Sequence, residues 1–232
     1  MTHLPIVLIP GLNCTAAVFT PMLPTLWTGA PVMVAQHLVG DDIAGMARAI
    51  LRDAPPRFAL LGFSLGGYIA FEIMRQAPER VGRLCLLDTS ARPDSPEATG
   101  KRRERMALAQ AGRFVETADA AYALSVHPAH AEREDLRAAC AAMALANGPE
   151  AFVRQQEAII GRVDSRPLLG GIEVPTTVIV GDMDAITPPE VAQEMAEGIA
   201  GARLVVIEMA GHMAVIEQPK AVEAAMLAWA RG

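Results

Sequence analysis

The chain has 232 residues, 52% hydrophobic and 20% charged, which supplies apolar material for one large domain and excludes wholesale disorder. A net charge of −6 with no basic stripe argues against a nucleic-acid partner, and three cysteines without close spacing argue against a disulfide framework or a cysteine zinc site. No apolar run reaches the ~18 residues of a membrane span, and the first residues show no basic leader, so a soluble cytoplasmic protein is expected, with its oligomeric state left open.

In chain order, "LPIVLIP" (Leu4–Pro10) reads as a strand, then "VMVAQHL" (Val32–Leu38) as a second. "DDIAGMARAILRDA" (Asp41–Ala54) follows as a helix opened by cap-forming aspartates. "FALLGF" (Phe58–Phe63) is a third strand, running directly into the helix "LGGYIAFEIMRQA" (Leu65–Ala77), which stops before Pro78. "LCLLDT" (Leu84–Thr89), "TTVIVG" (Thr176–Gly181) and "RLVVIE" (Arg203–Glu208) complete the strands. The helices "PEVAQEMAEGIA" (Pro189–Ala200) and "PKAVEAAMLAWA" (Pro219–Ala230) each open on proline. The strands are apolar throughout rather than alternating, the mark of strands buried on both faces of a parallel sheet. Between residues 92 and 166 no strand is evident and helical segments follow one another. This stretch reads as a helical lid inserted after the fourth strand, dividing the chain into a core (1–91 and 167–232) and an insertion (92–166). Its cluster "KRRER" (Lys101–Arg105), interrupted by Glu104, reads as a solvated helix face.

At the third strand's end stands Gly62-Phe63-Ser64-Leu65-Gly66. A nucleophile on a tight strand-to-helix turn needs tiny residues two before and two after it, and the following helix aims its N-terminus at developing negative charge. Ser64 is therefore the candidate nucleophile, and it requires a base. Of five histidines, His3 lies near the start and His37, at a strand end, reads as a core residue. His127 and His130 ("HPAH") read as a lid loop rather than metal ligands. His212, in "AGHMAVIEQP" after the last strand, sits where open α/β sheets build their sites and is the candidate base. A carboxylate must hold its tautomer, and the sequence ranks Asp184, Asp182 and Asp88 in that order. Backbone N–H groups of Leu65 and Leu12 are the candidate oxyanion donors. Asn13, Phe63 and Met213 are candidate substrate contacts, whereas Cys14 is a weak alternative nucleophile. Met106, Phe114, Tyr122, Met143 and Phe152 in the insertion read as core before pocket.

Taken together, "PGLNCTAAVF", "LLGFSLGGYIAFEI", "VIVGDMDAITPP" and "AGHMAVIEQP" resemble the α/β-hydrolase superfamily over nearly the whole chain. The resemblance implies that "GDMDAITP" supplies the triad acid, which favours Asp184 over Asp182, and that the insertion is the helical cap. Two departures stand out: Pro10-Gly11 replaces the His-Gly of many relatives, and the strand pair that usually comes first is missing, implying a sheet of about six strands. Serine rather than aspartate at 64 disfavours dehalogenase and epoxide-hydrolase chemistry. The expectation is a cofactor-free, metal-free serine hydrolase of a small or medium carboxylic ester. Carbon–carbon bond hydrolase, enol-lactonase, thioesterase and perhydrolase activities use the same triad, and a hydrolase-fold receptor without turnover is the alternative of a different class.

Overall fold

The computed structural model describes residues 4–231, so His3 lies outside the described residues. The chain opens with β1 (Ile6–Ile9), a 3-10 turn (Ala16–Phe19), α1 (Leu23–Gly29), β2 (Val32–Val34) and α2 (Ile43–Asp53), then β3 (Phe58–Phe63), α3 (Leu65–Gln76) and β4 (Val81–Leu87). Three helices follow without a strand: α4 (Pro96–Leu108), α5 (Phe114–Ser125) and α6 (Glu134–Ile160). After α7 (Arg166–Leu169) come β5 (Thr176–Gly181), α8 (Pro189–Gly198), β6 (Arg203–Ile207), α9 (Ala214–Glu217) and α10 (Pro219–Arg231). The α6 element is broken at Gly148, which takes φ 80° just before Pro149.

All six strands pair in parallel, in the order β2-β1-β3-β4-β5-β6. Although the strands are mostly apolar, their two faces feed different cores, because successive side chains point to opposite sides. Val7, Ile9 and Leu60 pack with Ile43, Met46, Ile69 and Met195 of α2, α3 and α8. Ile6, Leu8 and Leu61 pack on the other side with Leu26, Val222, Met226 and Trp229 of α1 and α10. The strand order reverses between β1 and β3, and the crevice outside the carboxyl ends of strands at such a switch is where open α/β sheets bind ligands. The chain after β1 and the chain after β3 meet there.

The sequence reading differs from the structure in three places. The second strand, expected over Val32–Leu38, ends at Val34: Ala35 N–H makes a last bond to Leu8 O (2.9 Å) and the chain then leaves this edge of the sheet, so His37 is not at a strand end. The 3-10 turn and α1 were not foreseen, since Pro21 and Pro24 interrupt any helical period in that stretch. "KRRER" is not wholly a solvated face. Arg102 and Arg105 are half-buried and turn inward to line a cavity, while Arg103 and Glu104 stay exposed.

The junction of β3 and α3 is sterically tight. Ser64 takes φ 53° and ψ −113°, outside the regions open to most residues. A Cβ on Gly62 would collide with the Gly66 carbonyl, and one on Gly66 would collide with the Ile9 carbonyl. Both obstacles are backbone and cannot swing aside. Gly66→Ala should therefore destabilise the protein: the helix-propensity gain of about 1 kcal/mol is outweighed by overpacking of roughly 1–3 kcal/mol or more. A urea unfolding midpoint unchanged or raised in this variant would contradict the argument.

Candidate active site

Three loops at the carboxyl edge of the sheet bring Ser64, His212 and Asp184 together. Ser64 Oγ lies 2.8 Å from His212 Nε2, and His212 Nδ1 lies 2.8 Å from Asp184 Oδ2. Asp184 also accepts from Ile186 N–H (2.8 Å), Thr187 N–H (2.9 Å) and the Thr187 hydroxyl (2.7 Å). Burial alone raises the Asp184 carboxyl, yet the His212 contact and the Thr187 donors outweigh it and the net direction is downward. An ionised carboxylate only accepts, so His212 carries its proton on Nδ1 and offers the Nε2 lone pair to the Ser64 hydroxyl.

The rival carboxylates are occupied differently. Asp182 accepts from Met209 N–H (3.1 Å) and Ala210 N–H (3.0 Å), which shapes the loop leading to His212. Asp88 is fully buried, accepts from Gly181 N–H (2.9 Å) through Oδ1, and has no partner for Oδ2. Burial first, and the Asp184 charge second, push Asp88 well above the usual carboxylate range. Cys14 is equally unsuited to act as a thiolate, since burial pushes its thiol far up.

The loop after β1 is held from two sides. His37 Nε2–H donates to Gly11 O (2.9 Å), and His37 Nδ1 accepts from Gln155 Nε2 (3.1 Å). Gln155 Oε1, on α6, accepts in turn from Asn13 N–H (3.2 Å). A trans peptide points its C=O and N–H in opposite directions. Gripping Gly11 O therefore aims the Leu12 N–H, which has no protein acceptor among the described residues. Leu65 opens α3, so its N–H has no intrahelical carbonyl either.

Ser64 and His212 face a cavity of about 540 Å³ beneath α4, α5 and α6. Its apolar lining includes Phe63, Tyr122, Met143, Phe152, Ile159 and Met213, and Leu12 and Asn13 also reach it. Met106 and Phe114, by contrast, are buried away from it; Phe114 packs at a tilt against Phe152 (ring centroids 5.5 Å apart) among the helices between β4 and β5. The "HPAH" histidines belong to another contact. Buried Glu217 accepts from Gly211 N–H (2.8 Å) and His127 N–H (2.7 Å) and binds His130 Nδ1 (2.8 Å), joining the turn before His212 to the insertion. A Cβ on Gly211 would strike the Val126–His127 backbone, so the two chains need glycine to approach this closely. Gln155, Thr187 and Glu217 were not singled out from sequence. Each acts across a large sequence separation or through a hydroxyl, and no local pattern marks them.

A sequence profile described as the alpha/beta hydrolase fold matches residues 40–219. A pimeloyl-[acyl-carrier protein] methyl ester esterase from Neisseria meningitidis serogroup B is 31% identical, over 87% of this chain and 81% of that protein. Among solved structures, a thermophilic esterase from Thermogutta terrifontis is similar at a TM-score of 0.89 and 29% identity, covering 99% of this chain and 90% of that one. The enol-lactonase from Burkholderia xenovorans LB400 matches at a TM-score of 0.88 and 26% identity, covering 100% and 93%. Among the described residues, no helix is long and apolar enough to cross a membrane.

The His37 contact carries a pH signature. Burial lowers His37 below the ordinary imidazole value of 6.5. As pH falls below 6.5 the unfolded chain takes up a proton that the folded chain refuses, so stability is lost on the acid side of that value and retained above it. The slope contributed is up to about 1.4 kcal/mol per pH unit. His37→Gln keeps a donor for Gly11 O but cannot titrate. Urea midpoints between about pH 5 and 7 should fall less steeply with acid in the variant than in the wild type; parallel slopes would show that His37 titrates normally.

Proposed function

The chain belongs to the α/β-hydrolase family of enzymes, and from that premise we propose that it hydrolyses a small or medium carboxylic ester by acyl transfer, with Ser64 as nucleophile, His212 as base and Asp184 as its partner. The observation that carries this reading is the unbroken relay Ser64 Oγ–His212 Nε2 and His212 Nδ1–Asp184 Oδ2, each step 2.8 Å.

In this reading Ser64 Oγ attacks the ester carbonyl carbon while His212 Nε2 takes the hydroxyl proton. Asp184 keeps the imidazole in the required tautomer and stabilises the imidazolium. The carbonyl oxygen becomes an oxyanion held by Leu12 N–H and Leu65 N–H, with the N-terminus of α3 behind it; each such donor contributes roughly 10²–10³ in rate. His212 returns its proton to the leaving alcohol, and water, activated the same way, releases the carboxylic acid. No step calls on a thiol, which fits the raised Cys14. Residues 92–166 serve as a cap: their helices roof the cavity and supply Tyr122, Met143 and Phe152 to it.

Two relatives support cleavage of an acyl–oxygen bond. The Neisseria protein is named for a methyl ester and the Burkholderia protein for an enol-lactone, and both are esters in the chemical sense. A cavity of about 540 Å³ suits a small molecule or the acyl end of a larger one. The occupied relay favours turnover over a receptor role, since a receptor has no use for an ordered nucleophile and base.

A fluorophosphonate probe should label wild-type protein at Ser64 and leave Ser64→Ala unlabelled. Ester hydrolysis should vanish in Ser64→Ala with the fold intact by circular dichroism. Asp184→Asn should lower kcat on the order of 10⁴-fold, whereas Asp182→Asn should act mainly on stability. Full turnover in Ser64→Ala, or a larger kcat loss in Asp182→Asn than in Asp184→Asn, would sink the assignment.

A further inference from the structure

The cavity wall supplied by α4 is cationic. Lys101, Arg102 and Arg105 line it, and no Asp or Glu side chain does. Two of the three cations are already engaged. Lys101 Nζ pairs with Glu97 (2.6 Å), and Arg102 spans Asp94 (3.2 Å) and Gln156 Oε1 (2.8 Å). Arg105 has neither an ion-pair nor a hydrogen-bond partner among the described residues, although it is half-buried. The same side chain also borders an outer hollow containing Glu116, but that carboxylate is taken by Arg113 (2.6 Å).

A surface arginine usually lays its stem over apolar neighbours and leaves its head in water. Arg105 departs from that pattern in two respects: its surroundings withdraw it from water, and the like charge of Arg102 stands close enough to disfavour it further. Arginine does not escape by deprotonating. A guanidinium kept charged, half-desolvated and without a counterion, in a wall stripped of acids, is complementary to an anion that the protein does not itself provide.

We propose that Arg105, with Arg102 beside it, is an anion subsite of the cavity, and that the preferred substrate is an ester bearing a carboxylate remote from the scissile carbonyl. This inference rests on the reading of Ser64 as the nucleophile in the same cavity. It adds the substrate's charge, which the relay itself leaves open.

The test uses two matched pairs of esters. One pair places the charge in the acyl part, p-nitrophenyl hexanoate against the mono-p-nitrophenyl ester of adipic acid. The other places it in the alcohol, ethyl butyrate against the butyryl ester of glycolic acid. Wild-type protein should favour the charged member of at least one pair by about tenfold in kcat/KM, chiefly through KM. In Arg105→Gln that ratio should collapse towards unity, and Arg105→Lys should restore part of it, with circular dichroism confirming that both variants fold. A wild-type ratio at or below one in both pairs, or a ratio unaltered by Arg105→Gln, overturns the subsite and leaves the hydrolase reading standing. If no ester of either pair is turned over, or Ser64→Ala turns them over like the wild type, the hydrolase reading falls and the subsite falls with it.

Discussion

The architecture depends on one strained turn. A non-glycine residue held at the Ser64 dihedrals costs on the order of 1–3 kcal/mol, and such strain persists only where the surroundings leave no alternative. Here they leave none. Ser64 N–H bonds Leu87 O (3.0 Å) and the Thr89 hydroxyl donates to Ser64 O (2.8 Å), so β4 and the chain after it pin the turn from the side. Relaxing it would pull on β3, whose six residues are all buried. Burying one Leu or Phe side chain contributes about 1.5–3 kcal/mol, and β3 buries two of each. The packing of the strand thus exceeds the strain at its end, and the hydroxyl is presented at the switch point because the core cannot follow it anywhere else.

The helices between β4 and β5 are joined to this edge of the sheet by polar contacts as well as apolar ones. Gln155 reaches the loop after β1, both directly at Asn13 and through His37 at Gly11. Asn147 adds a bond to Cys14 O (3.1 Å). On the other side Glu217 ties Gly211, next to His212, to His127 and His130. Asp94 holds both Arg102 and Arg162, closing the base of the insertion. The loop that contains Leu12 and the loop that carries His212 are therefore each gripped by the chain between β4 and β5. Buried polar groups deprived of a partner cost about 1–3 kcal/mol each, so a displacement of these helices carries both loops with it rather than sliding over them.

What the sequence disclosed, and what it withheld, follows from the range of each interaction. The elbow around Ser64 is legible because its chemistry is local: glycine two before and two after is a steric requirement written within five residues. The strands are legible because burial leaves mostly apolar runs, most fully in β1 and β3, whose residues are all buried. The edge strand was overestimated because the expected run continues to Leu38, while the hydrogen-bond ladder makes its last bond at Ala35. His37 looked like a plain core residue since nothing within its own stretch names Gly11 or Gln155 as its partners. Glu217 stayed hidden for the same reason, being an ordinary acidic residue in sequence and a three-way acceptor only once residues 127, 130 and 211 converge. For "KRRER" the composition was read correctly and the facing was not: Lys101 and Arg105 lie four apart on one side of α4, and only the arrangement of α5 and α6 shows that this side faces a cavity.

The charges around that cavity are sorted by position. The carboxylates stand behind His212: Asp184 is ionised by its donors, while Asp88, buried and exposed to the Asp184 charge, is driven toward its neutral form. The cations stand on the α4 wall, with no acid lining the space between. With Lys101 and Arg102 paired to Glu97 and Asp94, the α4 wall contributes one cation without a protein counterion among the described residues, Arg105, to the cavity that Ser64 and His212 also line. Water penetrates a half-open cavity less than it does a flat surface, so the screening that makes exposed charges weak is reduced here. In the proposed reading, an anionic group at the α4 wall would orient the remainder of an ester towards Ser64 Oγ, which lines the same cavity. Orientation of this kind depends on where charged groups stand in the cavity and not on the net charge of −6.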